Sequence, residues 1–132
     1  MLAIWSRERA ASCVASAGTA LTFDAVDAQG RHLGGVIAPG LVTAQTAVLG
    51  ATRFAASGPS QQFTRGLGSD TDACVRQGAL HACAGLIDRL AARHPGPRYL
   101  IGGDAETLAP HLDGDWQLRP DLVLEGLAAL SP

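Results

Sequence analysis

Lysine is missing from this 132-residue chain: its ten basic residues are all arginine, dispersed among twelve acidic ones, for a formal net charge of −2. A nucleic-acid surface needs a concentrated positive field, so nucleic acid is excluded as an expected partner. Aromatic residues make up only 5% of the chain, which predicts a core of Ala, Val, Leu and Ile. Cysteine is scarce and odd in number. Cys13, Cys74 and Cys83 show no CxxC spacing, which argues against a disulfide framework or a zinc site and predicts reduced thiols in the core. No apolar run reaches the roughly 20 residues that span a bilayer, and the opening MLAIWSRERAASC has too short an apolar stretch for a signal peptide. A cytoplasmic protein with no membrane partner is expected.

What is present is ordinary globular material, 47% apolar and 17% charged, enough for one compact core and one domain over residues 1–132. Ala11 to Ser16 and Ala20 to Asp27 are β-favouring stretches joined by the small turn Ala17-Gly18-Thr19, which reads as a hairpin. A second turn at Ala28-Gln29-Gly30 leads to a third strand, His32 to Ala38, completing an antiparallel meander that Pro39-Gly40 ends. Gly34-Gly35 suggests a bulge or close backbone approach, with no chemistry attached.

Leu41 to Thr52 has a helix-compatible pattern, and Ala55 to Gly68 is polar and glycine-rich, the mark of an exposed loop. Ser69-Asp70-Thr71-Asp72 resembles a helix cap. Val75, Ala79, Ala82, Cys83, Leu86, Ile87 and Leu90 then recur at helical spacing until Pro95-Gly96-Pro97. Arg98 to Ile101 reads as a short buried strand running through Gly102-Gly103 into a helix over Ala105 to Leu112. Trp116 to Arg119 is one more strand, and Asp121 to Leu130 an amphipathic helix using Leu122, Val123, Leu127 and Leu130. Condensed to βββαβαβα, this order predicts an α/β fold, a mixed sheet covered by helices, as in one ribonuclease-H-like lobe.

Several positions admit a chemical and a plain structural reading. A Gly18-Thr19-Ala20 turn would let phosphate oxygens approach backbone N–H groups, with the Thr19 hydroxyl as a further donor; it would equally serve as a simple turn. Gly102-Gly103 ahead of a helix could meet an anion or merely reverse the chain. Asp24 could face the same cleft as the first turn or stand solvated on its strand. Thr71 could help cap the long helix, with Asp70 and Asp72 complementing its dipole. His32, His81, His94 and His111 are scattered without metal-ligand spacing and are assigned surface or core roles.

Four stretches then carry a resemblance in order: Ser16 to Gly40 (SAGTALTFDAVDAQGRHLGGVIAPG), Leu67 to Gly78 (LGSDTDACVRQG), Ile101 to Ala105 (IGGDA) and Pro120 to Leu127 (PDLVLEGL). They resemble the Asp-x-Gly-Thr-Ala hairpin with GGxIxPG, the Leu-Gly-x-Asn-Thr segment, the TGGDA turn and the PxLVLxGL end of the type III pantothenate kinases. The similarity runs from about Cys13 to Leu130 and matches the family's C-terminal lobe, within the acetate and sugar kinase, heat-shock ATPase and actin superfamily. It implies ATP-dependent phosphorylation of pantothenate, the first step of coenzyme A synthesis. It also implies ATP with Mg2+, ATP contacts at Gly18, Thr19, Gly102 and Gly103, a pantothenate contact at Thr71, and a homodimer in the full-length form.

The departures from the family pattern are as specific. Where the family has an aspartate that holds a monovalent cation, usually potassium, this chain has Ser16, so weaker cation dependence is expected. Asp70 replaces the family's asparagine. The family's phosphate loop and its Gly-x-Asp-Arg segment, whose aspartate is the proton acceptor, have no counterpart in these residues, so the N-terminal lobe is read as absent and no catalytic residue is assigned. A truncated lobe, inactive alone and with an exposed apolar face where the first lobe would pack, is the expectation. A non-catalytic accessory relative acting through protein interaction, as among the family's Bvg accessory factor-like members, is the alternative; an unrelated α/β module would need all four motifs to be coincidence.

Overall fold

A computed structural model describes residues 9–53 and 57–130. Its first three strands, β1 (Ser12–Ala17), β2 (Ala20–Val26) and β3 (His32–Pro39), form the expected antiparallel meander. Alternation along β2 separates two faces. Leu21, Phe23 and Ala25 are buried, while Thr22 and Asp24 point the other way and are only half-buried. The register shifts between Ala25 and Val26, where Ala25 pairs with Gly34 and Val26 with His32, which is the bulge the paired glycines suggested.

Two helices follow before the next strand, α1 (Leu41–Ala51) and α2 (Thr71–Ala91). The condensed order is therefore corrected to βββααβαβα. β4 (Arg98–Ile101), α3 (Ala105–Leu108) with a 3-10 turn (Ala109–His111), β5 (Gln117–Leu118) and α4 (Leu122–Leu130) follow among the described residues. The sheet order is β3-β2-β1-β4-β5, with β4 parallel to both β1 and β5. Three antiparallel strands running into two parallel ones, with helices on both faces, make this α/β fold one ribonuclease-H-like lobe.

The main core lies between the β1-β2 hairpin, β4 and α2. Leu80, Cys83, Ala84, Ile87 and Ala91 form the buried stripe of α2 and meet Cys13, Ala15, Leu21, Phe23 and Leu100 from the sheet. At about 1.5–3 kcal/mol for each fully buried large aliphatic side chain, Leu80 and Ile87 are the main contributors from this stripe. Asp70 caps α2 by accepting the Ala73 N–H at 2.8 Å, and the helix ends at Ala91, four residues before Pro95 stops any continuation. The opposite face holds a smaller cluster of Val14, Tyr99 and Leu122.

Three sequence expectations are corrected here. α4 is less amphipathic in use than in pattern: among its described side chains only Leu122 is buried, while Val123, Leu124, Leu127 and Leu130 are exposed by 58 to 69%. The 57–68 segment is not simply an exposed loop, because Phe63 packs against the main core; Ala55 and Ala56 lie outside the described residues. Cys74 is exposed, whereas Cys13 and Cys83 are buried core thiols, and all three are free.

Burial pushes both Cys13 and Cys83 up to about 11, far from the thiolate form at neutral pH. Alkylation of the folded chain at pH 7.5 is expected to modify Cys74 alone within the time that modifies all three thiols in denaturant. Mass spectrometry of the labelled protein checks this, and rapid double or triple labelling of folded protein would contradict the packing.

Candidate functional site

Because β1 and β4 run parallel, their carboxyl ends emerge at the same edge of the sheet, with Ser16 paired to Ile101. Ligands of open α/β sheets bind at such edges. Beyond it the chain turns at Gly18-Thr19 and at Gly102-Gly103, and backbone contacts bring the two turns together. The Asp104 N–H donates to the Ala17 carbonyl at 2.9 Å. Gly102 sits at φ +102°, and a Cβ there would stand 2.3 Å from the Ala17 oxygen, so both conformation and space require glycine.

A third junction joins the first two. The Thr19 carbonyl accepts the Gly40 N–H at 3.0 Å and the Thr43 hydroxyl at 2.7 Å, which ties the first turn of α1 to the hairpin. A Cβ on Gly40 would lie 1.8 Å from the Gly18 oxygen. The Pro39-Gly40 pair thus ends β3 and also permits this close approach.

The hairpin offers fewer donors than its sequence suggested, because the Gly18 N–H is already spent on the Ala20 carbonyl at 3.1 Å. Thr19 is exposed, and its hydroxyl has no bonding partner among the described residues. Gly102 and Gly103 are also exposed and line a recess of about 170 Å³ with Ile101, Glu106 and Arg119. The helix beyond them, expected to reach Leu112, has only four α-helical residues before its 3-10 turn. Its dipole is correspondingly small, so attraction for an anion would rest on local N–H groups.

Thr71 lies apart from this edge. Asp70 performs the capping, which leaves Thr71 in the first turn of α2 at the mouth of an open groove of about 570 Å³ between α1 and α2. Ala44, Val48, Val75, Ala79 and Ala82 make that groove largely apolar. α1 connects the two places: Thr43 holds Thr19, and the next residue, Ala44, lines the groove. Gly18, Thr19, Gly102 and Gly103 therefore cluster, while Thr71 occupies a neighbouring surface.

Ser16 stands on the face opposite α2, paired across the hairpin with Thr22. The one carboxylate on that face of β1 and β2 is Asp24, which is bonded to His32 Nε2 at 2.8 Å. Ser16 thus faces the Thr22 hydroxyl across the hairpin, and the Asp24 carboxylate further along β2 is engaged by His32, a poorer donor set for a cation than an aspartate at position 16 would give. The other histidines are also occupied: His81 bonds the Gly66 carbonyl at 2.8 Å, and His94 and His111 contact the rings of Phe23 and Phe63.

Sequence reading passed over Gln45 and Gln77, which are among the few buried polar side chains. Gln45 donates to the carbonyls of Leu41 and Ser60 and accepts the Ser60 N–H. Gln77 donates to the carbonyls of Thr64 and Gly66 and accepts the Thr64 N–H. Leaving such a carboxamide buried without partners would cost about 1–3 kcal/mol, so their bonds determine where the loop lies. The signal was present in register: Gln77 precedes Leu80, Ala84, Ile87 and Ala91 on the buried stripe of α2.

Comparison with known proteins adds identity to this geometry. The type III pantothenate kinase family model matches residues 1–93. Curated type III pantothenate kinases include one from Thiobacillus denitrificans, 43% identical over 136 residues covering 96% of this chain and 54% of the relative. Another, from Dichelobacter nodosus, is 38% identical over 127 residues covering 91% of this chain and 50% of the relative. The crystal structure of a Campylobacter jejuni protein assigned to the Baf family of transcriptional activators superposes with a TM-score of 0.70 at 23% identity, over 96% of this chain and 59% of that one, which supports the fold. A ribonuclease-H-like lobe with its turns gathered at the carboxyl ends of β1 and β4 is the structural class. The chain belongs to the type III pantothenate kinase family, and it spans about half the length of the curated relatives it matches.

Gly102→Ala tests the convergence of the turns. Positive φ and the contact with the Ala17 carbonyl are expected to lower stability by about 1–3 kcal/mol, measured by urea unfolding. Gly103→Ala, whose added Cβ would meet nothing within 4 Å, serves as the control and is expected to change little.

Proposed function

We propose that this chain forms one wall of an ATP:pantothenate phosphotransferase, as the C-terminal lobe of a two-lobed enzyme, acting in the first step of coenzyme A synthesis. The observation that carries this reading is the gathering of Gly18, Thr19, Gly102 and Gly103 at one sheet edge in a member of a kinase family. Thr19, exposed and with its hydroxyl unengaged among the described residues, is suited to donate to a phosphate oxygen. Gly102 and Gly103 leave the backbone accessible to the nucleotide. Thr71, at the mouth of the groove between α1 and α2, is the proposed pantothenate contact.

Phosphoryl transfer relies on positioning and charge stabilisation between opposed groups. The 132 residues supply one side of such a cleft, and the proton acceptor is assigned to the other lobe. Magnesium would enter with the nucleotide, held chiefly by phosphate oxygens. The exposed face of α4, with Val123, Leu124, Leu127 and Leu130, fits a surface that the first lobe or a second copy covers.

The 132-residue chain alone is expected to show no turnover above background in a coupled assay with ATP, magnesium and pantothenate, yet to bind ATP measurably by titration calorimetry. Turnover by the isolated chain would overturn the division of labour, and absence of nucleotide binding would remove the ATP role of the turns. In a two-lobed form, activity is expected to be unaffected by replacing sodium with potassium. Strong potassium activation would show that Ser16 and its neighbours hold the cation after all.

A further inference from the structure

We infer that Gln45 and Gln77 are positioning residues: they hold a strap, residues 57–66, that braces the Thr71 turn at one point and the glycine turn at another. Both clamps act on the strap's backbone, Gln45 at Ser60 and Gln77 at Thr64 and Gly66. Phe63, between them, packs against the main core and meets the His111 ring at 6.5 Å. The middle of the strap is therefore fixed by buried groups, and its exposed Ser57 and Gln61 bond to residues outside it.

Those outward groups reach both candidate subsites. The Ser57 N–H and hydroxyl each donate to the Asp72 carboxylate at 3.0 Å, beside Thr71 in the first turn of α2. Gln61 Nε2 donates to Asp104 Oδ1 at 3.1 Å, beside Gly103. Asp104 in turn donates its N–H to the Ala17 carbonyl at the base of the hairpin turn. A single segment thus spans from the proposed pantothenate contact to the proposed nucleotide turn, and the two carboxamides hold its backbone between them.

The strap's consequence for ligand binding rests on the kinase reading above, whereas its mechanical role does not, and the test separates the two. Amide hydrogen exchange and ATP calorimetry are measured on the intact 132-residue chain and on Gln45→Met, Gln77→Met and Gln61→Ala. Gln61→Ala removes an exposed link and leaves the core untouched, so it reports even if a clamp variant fails to fold. The expected result is that Gln61→Ala raises exchange at Asp104 and Ala105 by about fivefold or more, as losing a bond of ordinary strength would. The clamp variants are expected to do the same and also to raise exchange at Ser60 or Thr64 and at the first turn of α2. ATP affinity is expected to fall by about tenfold in step with the exchange at Asp104. If exchange at Asp104 is unchanged in Gln61→Ala, the strap is a local anchor and the inference is wrong. If the unaltered chain binds no ATP but the exchange pattern appears, the strap stands and the nucleotide reading fails.

Discussion

The Thr19 carbonyl is the point on which the arrangement of the site depends. It receives both the Gly40 N–H and the Thr43 hydroxyl, so the tip of the first hairpin and the start of α1 cannot move independently. That double acceptance is possible only because Gly40 lacks a Cβ and can lie against the Gly18 carbonyl. On the other side of the hairpin the Ala17 carbonyl accepts from Asp104 and abuts Gly102. Two carbonyls of one turn, those of Ala17 and Thr19, therefore fasten the helices that follow β3 and β4, and the candidate nucleotide turn inherits its rigidity from these bonds.

Much of the fold was legible because its determinants are local. The β-favouring stretches of the first hairpin, the cap around Asp70 and the apolar stripe of α2 are each set by residues close in sequence, and each appears in the structure near its expected place. The ends were less legible. The segment from Ala105 was read as a helix to Leu112, but after four residues it tightens into a 3-10 turn containing Pro110, whose missing N–H cannot extend an α-helix. The apolar residues of α4 follow a helical period, yet period says only that a helix has an apolar face and not whether this chain contains what covers it.

The candidate site was legible in its residues but not in its connections. Gly18, Thr19, Gly102 and Gly103 could be named from motifs, while the contact that unites them is a backbone hydrogen bond between residues 17 and 104, far apart in sequence. The role of the 57–68 segment was hidden for a related reason. Its composition is that of a solvated loop, and what docks it is the pair Gln45 and Gln77, residues whose polarity argued for the surface. A buried glutamine is stable only where backbone groups satisfy it, and those groups are recognisable only once the chain is folded.

Under the proposed function, the architecture of the site and its chemistry have separate requirements. The turns at Gly18-Thr19 and Gly102-Gly103 are held by their own hydrogen bonds and by helices within the same 132 residues, so their geometry does not require an opposing wall. Stabilising charge as a phosphoryl group transfers does require one, since groups on a single open edge face water, where electrostatic interactions are weak. The exposed apolar side of α4 points in the same direction. It adds a surface that remains costly to leave in water, as the proposed packing against another lobe or copy requires.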